Sequence, residues 1–189
     1  MLTVYQVVMK ISELALFLEK LEKDFKEQKN KVLLIRSLRS LLAYSAIVLK
    51  NFTTSEKINY KIPLDYSKYK GKAINIEIGK EFVDIILRKT LMTMAWSFFE
   101  YFFQAETNTN KFGKKLLVKY FDEENKIPLV INYFRGVRNS IHSNGTYYGE
   151  ELSCEISGNN YEIKDGQEVF YYYPFIFSII KESLNSLER

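Results

Sequence analysis

Hydrophobic positions in the first fifty residues recur every three or four residues, which is the spacing of one apolar stripe along a helix. The first such stretch predicts a helix over residues 3–28, with Val4, Val7, Ile11, Leu14, Leu18, Leu21 and Phe25 on one side. A second predicts a helix over 32–49, with Leu34, Leu38, Leu41, Ser45 and Val48 on one face. The short polar join at 29–31 suits an antiparallel return, so we predict a helical hairpin over residues 3–50.

The helical period is lost over residues 51–76 and returns at Glu81. The first segment predicts a long loop, with a strand through Ile74, Ile76 and Ile78. The second predicts a helix over 81–106. Because this helix is apolar nearly all round from 91 to 103, we predict that it is the central core helix and that it is buried over 81–104. Its aromatic residues favour core packing over base stacking. Glu100 within it should reach solvent or meet a cation.

The C-terminal half alternates short helices with turn residues. We predict a helix over 111–121 and another from Pro128 to about His142, ended by Asn144 and Gly145. Short strands are expected at 152–157, 161–164 and 168–171, and Pro174 should open a closing helix. The predicted fold class is mainly α, a bundle of about five to six helices with a small β-hairpin or meander before the C-terminal helix.

Length and composition indicate one globular domain over residues 1–189, because 47% of residues are hydrophobic and 26% are charged. The single cysteine, Cys154, excludes a disulfide framework and lies in an alternating pattern typical of a half-buried strand thiol. Charged residues interrupt the N-terminus before a secretory signal forms, and the charge-free run 169–180 is shorter than the roughly 20 residues of a membrane span. We therefore expect a cytoplasmic protein without a membrane partner.

The helix from Pro128 to His142 has two predicted stripes. Val130, Phe134, Val137 and Ile141 fall within a narrow arc and define the buried face. The second stripe lies roughly 100° further round the helix. It contains Arg135, Arg138 and His142, with Asn139 beside it. We predict that the two arginines and the histidine line one concave surface, while Phe134 and Ile141 are buried.

The polar stripe suits a phosphodiester, because Arg binds phosphate oxygens, Asn orients them and His transfers protons near neutral pH. The structural alternative is that His142 interacts favourably with the helix dipole at the C-terminus of this helix and that both arginines are exposed residues that increase solubility. The net charge of +4 is compatible with an anionic partner, and basic residues also cluster from Lys111 to Lys119. A solvated face is the ordinary interpretation of that cluster; Arg135, Lys114 and Lys115 are the candidate phosphate or RNA contacts.

Other chemistries find little support in the chain. One histidine and one cysteine cannot form a zinc site of the usual ligands, and the acidic run 122–124 is typical of a loop rather than a magnesium site. No P-loop, dinucleotide fingerprint or nucleophile elbow is present. We expect neither a metal nor a cofactor.

The segment from Arg138 to Gly145, Arg-Asn-Ser-Ile-His-Ser-Asn-Gly, resembles the signature of the HEPN superfamily. These are small helical domains in which an Arg, a polar residue and a downstream His share a late helix. The preceding helical hairpin, and the hairpin with its closing helix that follows the motif, extend the likeness over most of the chain. Many HEPN proteins are metal-independent endoribonucleases, often toxins or antiviral effectors. Others are noncatalytic nucleotide-binding or partner-binding modules.

By this resemblance, His142 would be the acid or base for attack by the ribose 2′-hydroxyl, Arg138 would stabilise the phosphorane and Asn139 would orient the phosphate. Three residues separate Arg138 from His142 and six separate Arg135 from it, whereas the family motif has four to six. Gly136, rather than a polar residue, follows Arg135. Both arginines therefore remain candidates. The resemblance implies an endoribonuclease, which would have an antitoxin-like partner. The alternative that it implies is a noncatalytic nucleotide-binding or protein-interaction module.

A homodimer is the expected assembly, because one protomer has one histidine while RNA cleavage benefits from two proton-transfer groups. HEPN proteins bring the Arg and His helices of two protomers together. The two segments 135–145 should then approach across a twofold axis, with Ile131 and Tyr133 helping to bury the contact.

Overall fold

The computed structural model describes residues 4–52, 57–63 and 73–187. Within these ranges the chain forms six α-helices and two two-stranded antiparallel sheets. The predicted mainly α bundle with a β-hairpin before the last helix is confirmed. The helices pack around one hydrophobic core that includes residues from every helix and from the second hairpin.

The N-terminal hairpin consists of α1, Val4–Asp24, and α2, Lys29–Phe52. The predicted stripe on α1 is confirmed, since Val7, Ile11, Leu14, Leu18 and Leu21 are buried. A tight turn in which the Gln28 amide donates to the Phe25 carbonyl at 2.7 Å reverses the chain. Glu22 then joins the two helices, because it accepts hydrogen bonds from Arg36 and Arg39, each at 2.7 Å. These two bonds hold the pKa of the Glu22 carboxyl below its usual value.

α2 is the one helix among the described residues that is long and apolar enough to qualify as a membrane span, over Lys29–Asn51. This criterion uses length and composition alone, and core helices satisfy it too. Leu34, Ile35, Leu38 and Leu42 of α2 are buried in the protein core. The helix thus has a packed side and an unpacked side.

A β-hairpin replaces part of the predicted loop over 51–76. Strand β1, Lys57–Pro63, pairs antiparallel with β2, Ala73–Gly79. The predicted strand through Ile74, Ile76 and Ile78 is confirmed as β2; the assignment of 57–63 to a loop was wrong. Apolar positions alternate in β1 as well, since Ile58, Tyr60 and Ile62 lie opposite the β2 isoleucines in the register. The loop predictions for 53–56 and 64–72 lie outside the described residues.

The central helix α3, Lys80–Thr107, is confirmed as a helix but is not buried throughout. Its inner side is fully packed, with Leu91, Met92, Ala95, Trp96, Phe99, Phe102 and Phe103 at 0–1% exposure. Its outer side is not, since Phe82, Ile85, Ile86, Met94 and Tyr101 are exposed. The prediction of burial over 81–104 was therefore wrong for that side, because neighbouring elements cover only part of the helix.

Helix α4, Gly113–Phe121, begins where Glu100 of α3 supplies a cap. The Gly113 amide donates to the Glu100 carboxylate at 3.2 Å, so this carboxylate binds a free N–H group of the helix start rather than a cation. A single 3₁₀ turn, Glu124–Lys126, leads to α5, Leu129–His142, which follows Pro128 as predicted. Asn144 and Gly145 have φ of +55° and +94°, the left-handed conformation that ends the helix.

The C-terminal part contains β3, Leu152–Ile156, β4, Asn159–Ile163, and α6, Tyr173–Asn185. β3 and β4 form an antiparallel hairpin, and the third strand expected at 168–171 is reduced to one bridge between Thr146 and Glu168. The predicted meander does not form because this segment bonds to the loop after α5, for example Val169 to the Gly145 carbonyl at 2.8 Å.

Candidate functional site

The inner face of α5 packs onto the central helix. Phe134 is fully buried and makes edge-on contacts with Trp96 and Phe99, at ring-centroid distances of 5.3 and 5.7 Å. Val137 is also fully buried, whereas Val130 and Ile141 are only partly buried. The prediction that Phe134 is buried is confirmed, and the prediction of full burial for Ile141 was wrong. These contacts set how α5 is rotated about its own axis.

A second face of α5 packs against the β3–β4 hairpin at Gly136. A Cβ atom placed on Gly136 would lie 2.6 Å from Leu152 Cδ1 and 3.0 Å from Ile163 Cδ1. A side chain at this position would therefore have to displace the ends of the Leu152 and Ile163 side chains, which glycine avoids. Helix α3 and the hairpin cover two sides of α5. The side that carries Arg135, Arg138 and His142 therefore faces away from the core.

The buried arc is wider than the single predicted stripe, because α5 has packing neighbours on two sides. Ile131 and Tyr133 are 0% and 3% exposed within the protomer. They cannot help to bury a contact between two copies, so that part of the dimer prediction was wrong. Ser140 is also buried, and its hydroxyl donates to the Val137 carbonyl at 2.6 Å.

Arg135 is positioned by an amide one turn earlier on the same helix. Its Nε and Nη2 atoms donate to Asn132 Oδ1 at 3.1 and 2.8 Å. Burial lowers the pKa of the Arg135 guanidinium, while the nearby Tyr147, Glu150 and Glu124 act in the opposite direction. The sequence prediction missed this pair, although the i, i+3 spacing of Asn132 and Arg135 on a helix indicates it.

Lys114, one of the predicted phosphate contacts, is paired with two carboxylates. Its Nζ lies 2.6 Å from Glu124 Oε1 and 3.3 Å from Glu150 Oε2, and these bonds raise the pKa of the lysine. Glu124 and Glu150 also lie close enough to influence Arg135. Arg135 thus borders a cluster in which lysine and carboxylate charges offset each other. Lys115, the other predicted contact on α4, is exposed.

Arg138 and Asn139 form a direct pair on the polar side of α5. Arg138 Nη1 donates to Asn139 Oδ1 at 3.2 Å. Arg138 Nε is buried, and it has no hydrogen-bond partner among the described residues. A buried donor without a partner is unusual because its desolvation is not compensated. The guanidinium of Arg138 thus keeps bonding capacity that the fold does not use.

His142 is exposed in the last turn of α5, four residues after Arg138. Residues at this spacing lie on adjacent turns of one helix side, so the imidazole follows Arg138 along the polar stripe. A groove on the surface of the described residues lies elsewhere, between α2 and α3, and no residue of α5 lines it. The concave surface predicted for the two arginines and His142 therefore remains a prediction.

Cys154 lies inside the β3–β4 hairpin and is buried, more completely than predicted. Burial raises the pKa of its thiol to about 12, which keeps the sulfur protonated at neutral pH. Over residues 4–52, 57–63 and 73–187, no three His, Cys, Asp or Glu side chains group as metal ligands would.

Comparisons of the chain with protein-family models, with curated proteins and with solved structures give no match.

Proposed function

We propose that the polar side of α5 binds the phosphodiester of RNA and that the chain is a metal-independent endoribonuclease of the HEPN type. The supporting observation is the set of partners of the two arginines. Both guanidinium groups donate to amide oxygens, Arg135 to Asn132 and Arg138 to Asn139. Within the described part of the chain, neither forms an ion pair with a carboxylate. Cations held by neutral acceptors retain their charge for an anion.

Arg138 is the arginine that we assign to the phosphate. Arg135 lies near Glu124 and Glu150, which offset part of its charge, whereas Arg138 bonds to the amide oxygen of Asn139. An anion bound at Arg138 would gain charge-assisted hydrogen bonds without displacing a carboxylate. Asn139, already bonded to Arg138, would hold the guanidinium in place beside the phosphate.

His142 is the proton-transfer group in this proposal. The ribose 2′-oxygen attacks phosphorus after losing its proton, the bond from phosphorus to the 5′-oxygen breaks, and that oxygen takes up a proton. The products are a 2′,3′-cyclic phosphate and a 5′-hydroxyl end, with no metal or cofactor required. An exposed imidazole one helical turn after Arg138 is suited to one of these two proton transfers.

The other proton-transfer group would come from His142 of a second copy. Because Ile131 and Tyr133 are buried within each protomer, two α5 helices that approach each other would meet through polar side chains only. We propose that RNA bound between the two polar stripes helps to hold the two copies together. Cysteines introduced at Ser143 should crosslink between copies in the presence of RNA. Failure to crosslink, with cleavage retained, would contradict the composite site.

The test of the activity is incubation of the purified protein with total RNA in EDTA. We expect cleavage by the wild type and a loss of at least about a hundredfold in His142→Ala and Arg138→Ala, the order of a general acid–base contribution. Arg36→Ala, which removes an arginine on α2, is the matched control and should cleave within about twofold of wild type. Equal cleavage by wild type and His142→Ala would refute the proposal.

Two aspartate variants distinguish the arginines at equal net charge. Asn139→Asp would place a carboxylate on Arg138, and Asn132→Asp would place one on Arg135. If Arg138 binds the phosphate, Asn139→Asp should weaken RNA binding at least about tenfold more than Asn132→Asp, because only the first neutralises the binding cation. The reverse order would assign the phosphate to Arg135.

A noncatalytic module that binds a nucleotide or another protein is the second candidate function. The same two arginines, bonded to amide oxygens rather than to carboxylates, favour it, because anion binding does not need His142. RNA or nucleotide binding that His142→Ala leaves unchanged, without cleavage by either protein, would select this function. The HEPN resemblance extends the leading proposal to a cytoplasmic toxin or phage-defence protein with an antitoxin-like partner.

A further inference from the structure

An uncharged apolar surface lies on the outer side of α2 and α3, which we call the α2–α3 face. It consists of Leu33, Tyr44 and Ile47 on α2 and Met94, Phe98 and Tyr101 on α3. Five of these side chains are exposed: Leu33 by 44%, Tyr44 by 59%, Ile47 by 60%, Met94 by 41% and Tyr101 by 60%. Phe98 is partly buried between them.

The two helices present these residues side by side. Asn30 Nδ2 donates to Glu106 Oε1 at 2.8 Å, so the start of α2 lies next to the end of α3. A groove between them is lined by Leu33 and Ser37 on one side and by Phe98, Tyr101 and Ala105 on the other. Positions 33, 37, 40, 44 and 47 advance by steps of four and three, as do 94, 98, 101 and 105, so each set lies along one helix side.

We infer that the α2–α3 face is a homodimer interface in which two copies pack as a four-helix arrangement. The nine positions 33, 37, 40, 44, 47, 94, 98, 101 and 105 carry no charge, and the exposed Arg36 beside them is ion-paired with Glu22 of α1, which favours a second copy as the occupant. A twofold axis brings residues near it against their own copies, so a charged side chain there would face a like charge. An uncharged face avoids that repulsion.

The distribution of side-chain size also suits a twofold contact. Large side chains lie at both ends of the face, and Ser37 and Ser40 lie between them on α2. When one copy is turned by 180° about an axis near these serines, the Leu33 and Tyr101 end of one copy meets the Tyr44 and Ile47 end of the other. The small central residues let the helices approach closely.

The exposed area is sufficient for such a contact. The aromatic side chains of Tyr44 and Tyr101 each offer roughly 150–250 Å² when buried, and the other three offer somewhat less, so at 41–60% exposure the five present on the order of 500 Å². Two copies would then bury on the order of 1,000 Å², which is about the minimum expected of a biological interface. The roughly 500 Å² on one copy is also at the upper end of the apolar patches that monomers leave uncovered.

This contact involves no residue of α5 and does not depend on ribonuclease activity. A chain that also made the α5 contact would form a tetramer or larger assembly, because it would then have two different twofold interfaces. Self-association without RNA that is lost when the α2–α3 face is substituted therefore reports this face and not the α5 contact.

The test is sedimentation velocity of the RNA-free protein at micromolar concentration. We expect a dimer for wild type and at least a hundredfold weaker self-association for Tyr101→Glu and for Tyr44→Glu, because each places a carboxylate in the contact. Tyr5→Glu is the matched control: Tyr5 is a 73% exposed tyrosine on α1, outside the face, and its variant should remain dimeric. Thermal melting checks that all three variants are folded.

A cysteine crosslink locates the axis. Ser37→Cys should crosslink between copies, while wild type should not because Cys154 is buried. A monomeric wild type, or a dimer that both glutamate variants leave intact, would overturn the inference. Wild type that is monomeric but binds lipid vesicles, with Tyr101→Glu abolishing that binding, would overturn it in favour of a membrane surface.

Discussion

The buried and polar sides of α5 belong to the same 14 residues but differ in how tightly the fold constrains them. On the buried side, Phe134 contacts two aromatic rings, and a Cβ atom on Gly136 would meet Leu152 Cδ1 at 2.6 Å. On the polar side, Arg138 has an unused buried donor and His142 is exposed. The difference indicates that stability resides on the first side, while the second is free to interact with a ligand.

The largest effect on stability should come from Phe134→Ala. Removing a fully buried ring that contacts Trp96 and Phe99 should lower the free energy of unfolding by about 3–5 kcal/mol. Urea denaturation followed by circular dichroism measures this change. Phe170→Ala, at a phenylalanine that is 77% exposed, is the control and should change stability by less than about 0.5 kcal/mol. Similar losses for the two variants would contradict the packing described for α5.

Gly136→Val should have the next largest effect, about 1–3 kcal/mol, because the added side chain meets Leu152 and Ile163. Gly136→Ala should be milder, since alanine gains about 1 kcal/mol in helix propensity and the nearest atom is the mobile end of Leu152. A double variant with Leu152→Ala should recover part of the loss in Gly136→Val. If the effects of the two substitutions on stability were strictly additive, the side chain at position 136 would not contact Leu152 of the hairpin.

Asn132→Ala should lower stability by about 0.5–1.5 kcal/mol, because Arg135 loses the acceptor of both its hydrogen bonds. Equilibrium unfolding measures the loss, and Asn125→Ala at an exposed position provides a comparison. No difference between the two variants would mean that the Arg135–Asn132 pair does not stabilise the native state.

The smallest effect on stability should come from His142→Ala, within about 0.5 kcal/mol of wild type, because the side chain is exposed. Melting temperature and circular dichroism check this expectation on the same protein used in the RNA assay. A large loss of stability would place His142 among the structural residues and would weaken the comparison between the two sides of α5.

Local patterns were sufficient for much of the fold. The stripe on α1, the start of α5 after Pro128 and its end at Asn144 and Gly145 were all predicted, because helix periodicity and termination depend on neighbours within a few residues. The pairing of β1 with β2 was missed because the alternation in 57–63 was short and its partner lies beyond residue 72. Strand pairing depends on contacts that no local window contains.

The sequence by itself also grouped Arg135, Arg138, Asn139 and His142 on one helix side, since the helix period determines that arrangement. Only the tertiary structure decided what surrounds each of them. The packing of α5 buried Ile131 and Tyr133, the latter against Tyr161 of β4 and Phe175 of α6, and Lys114 paired with Glu124 and with the distant Glu150. Lys114 and Glu150 are 36 residues apart, and the partners of a charged group are set by distance in space rather than along the chain.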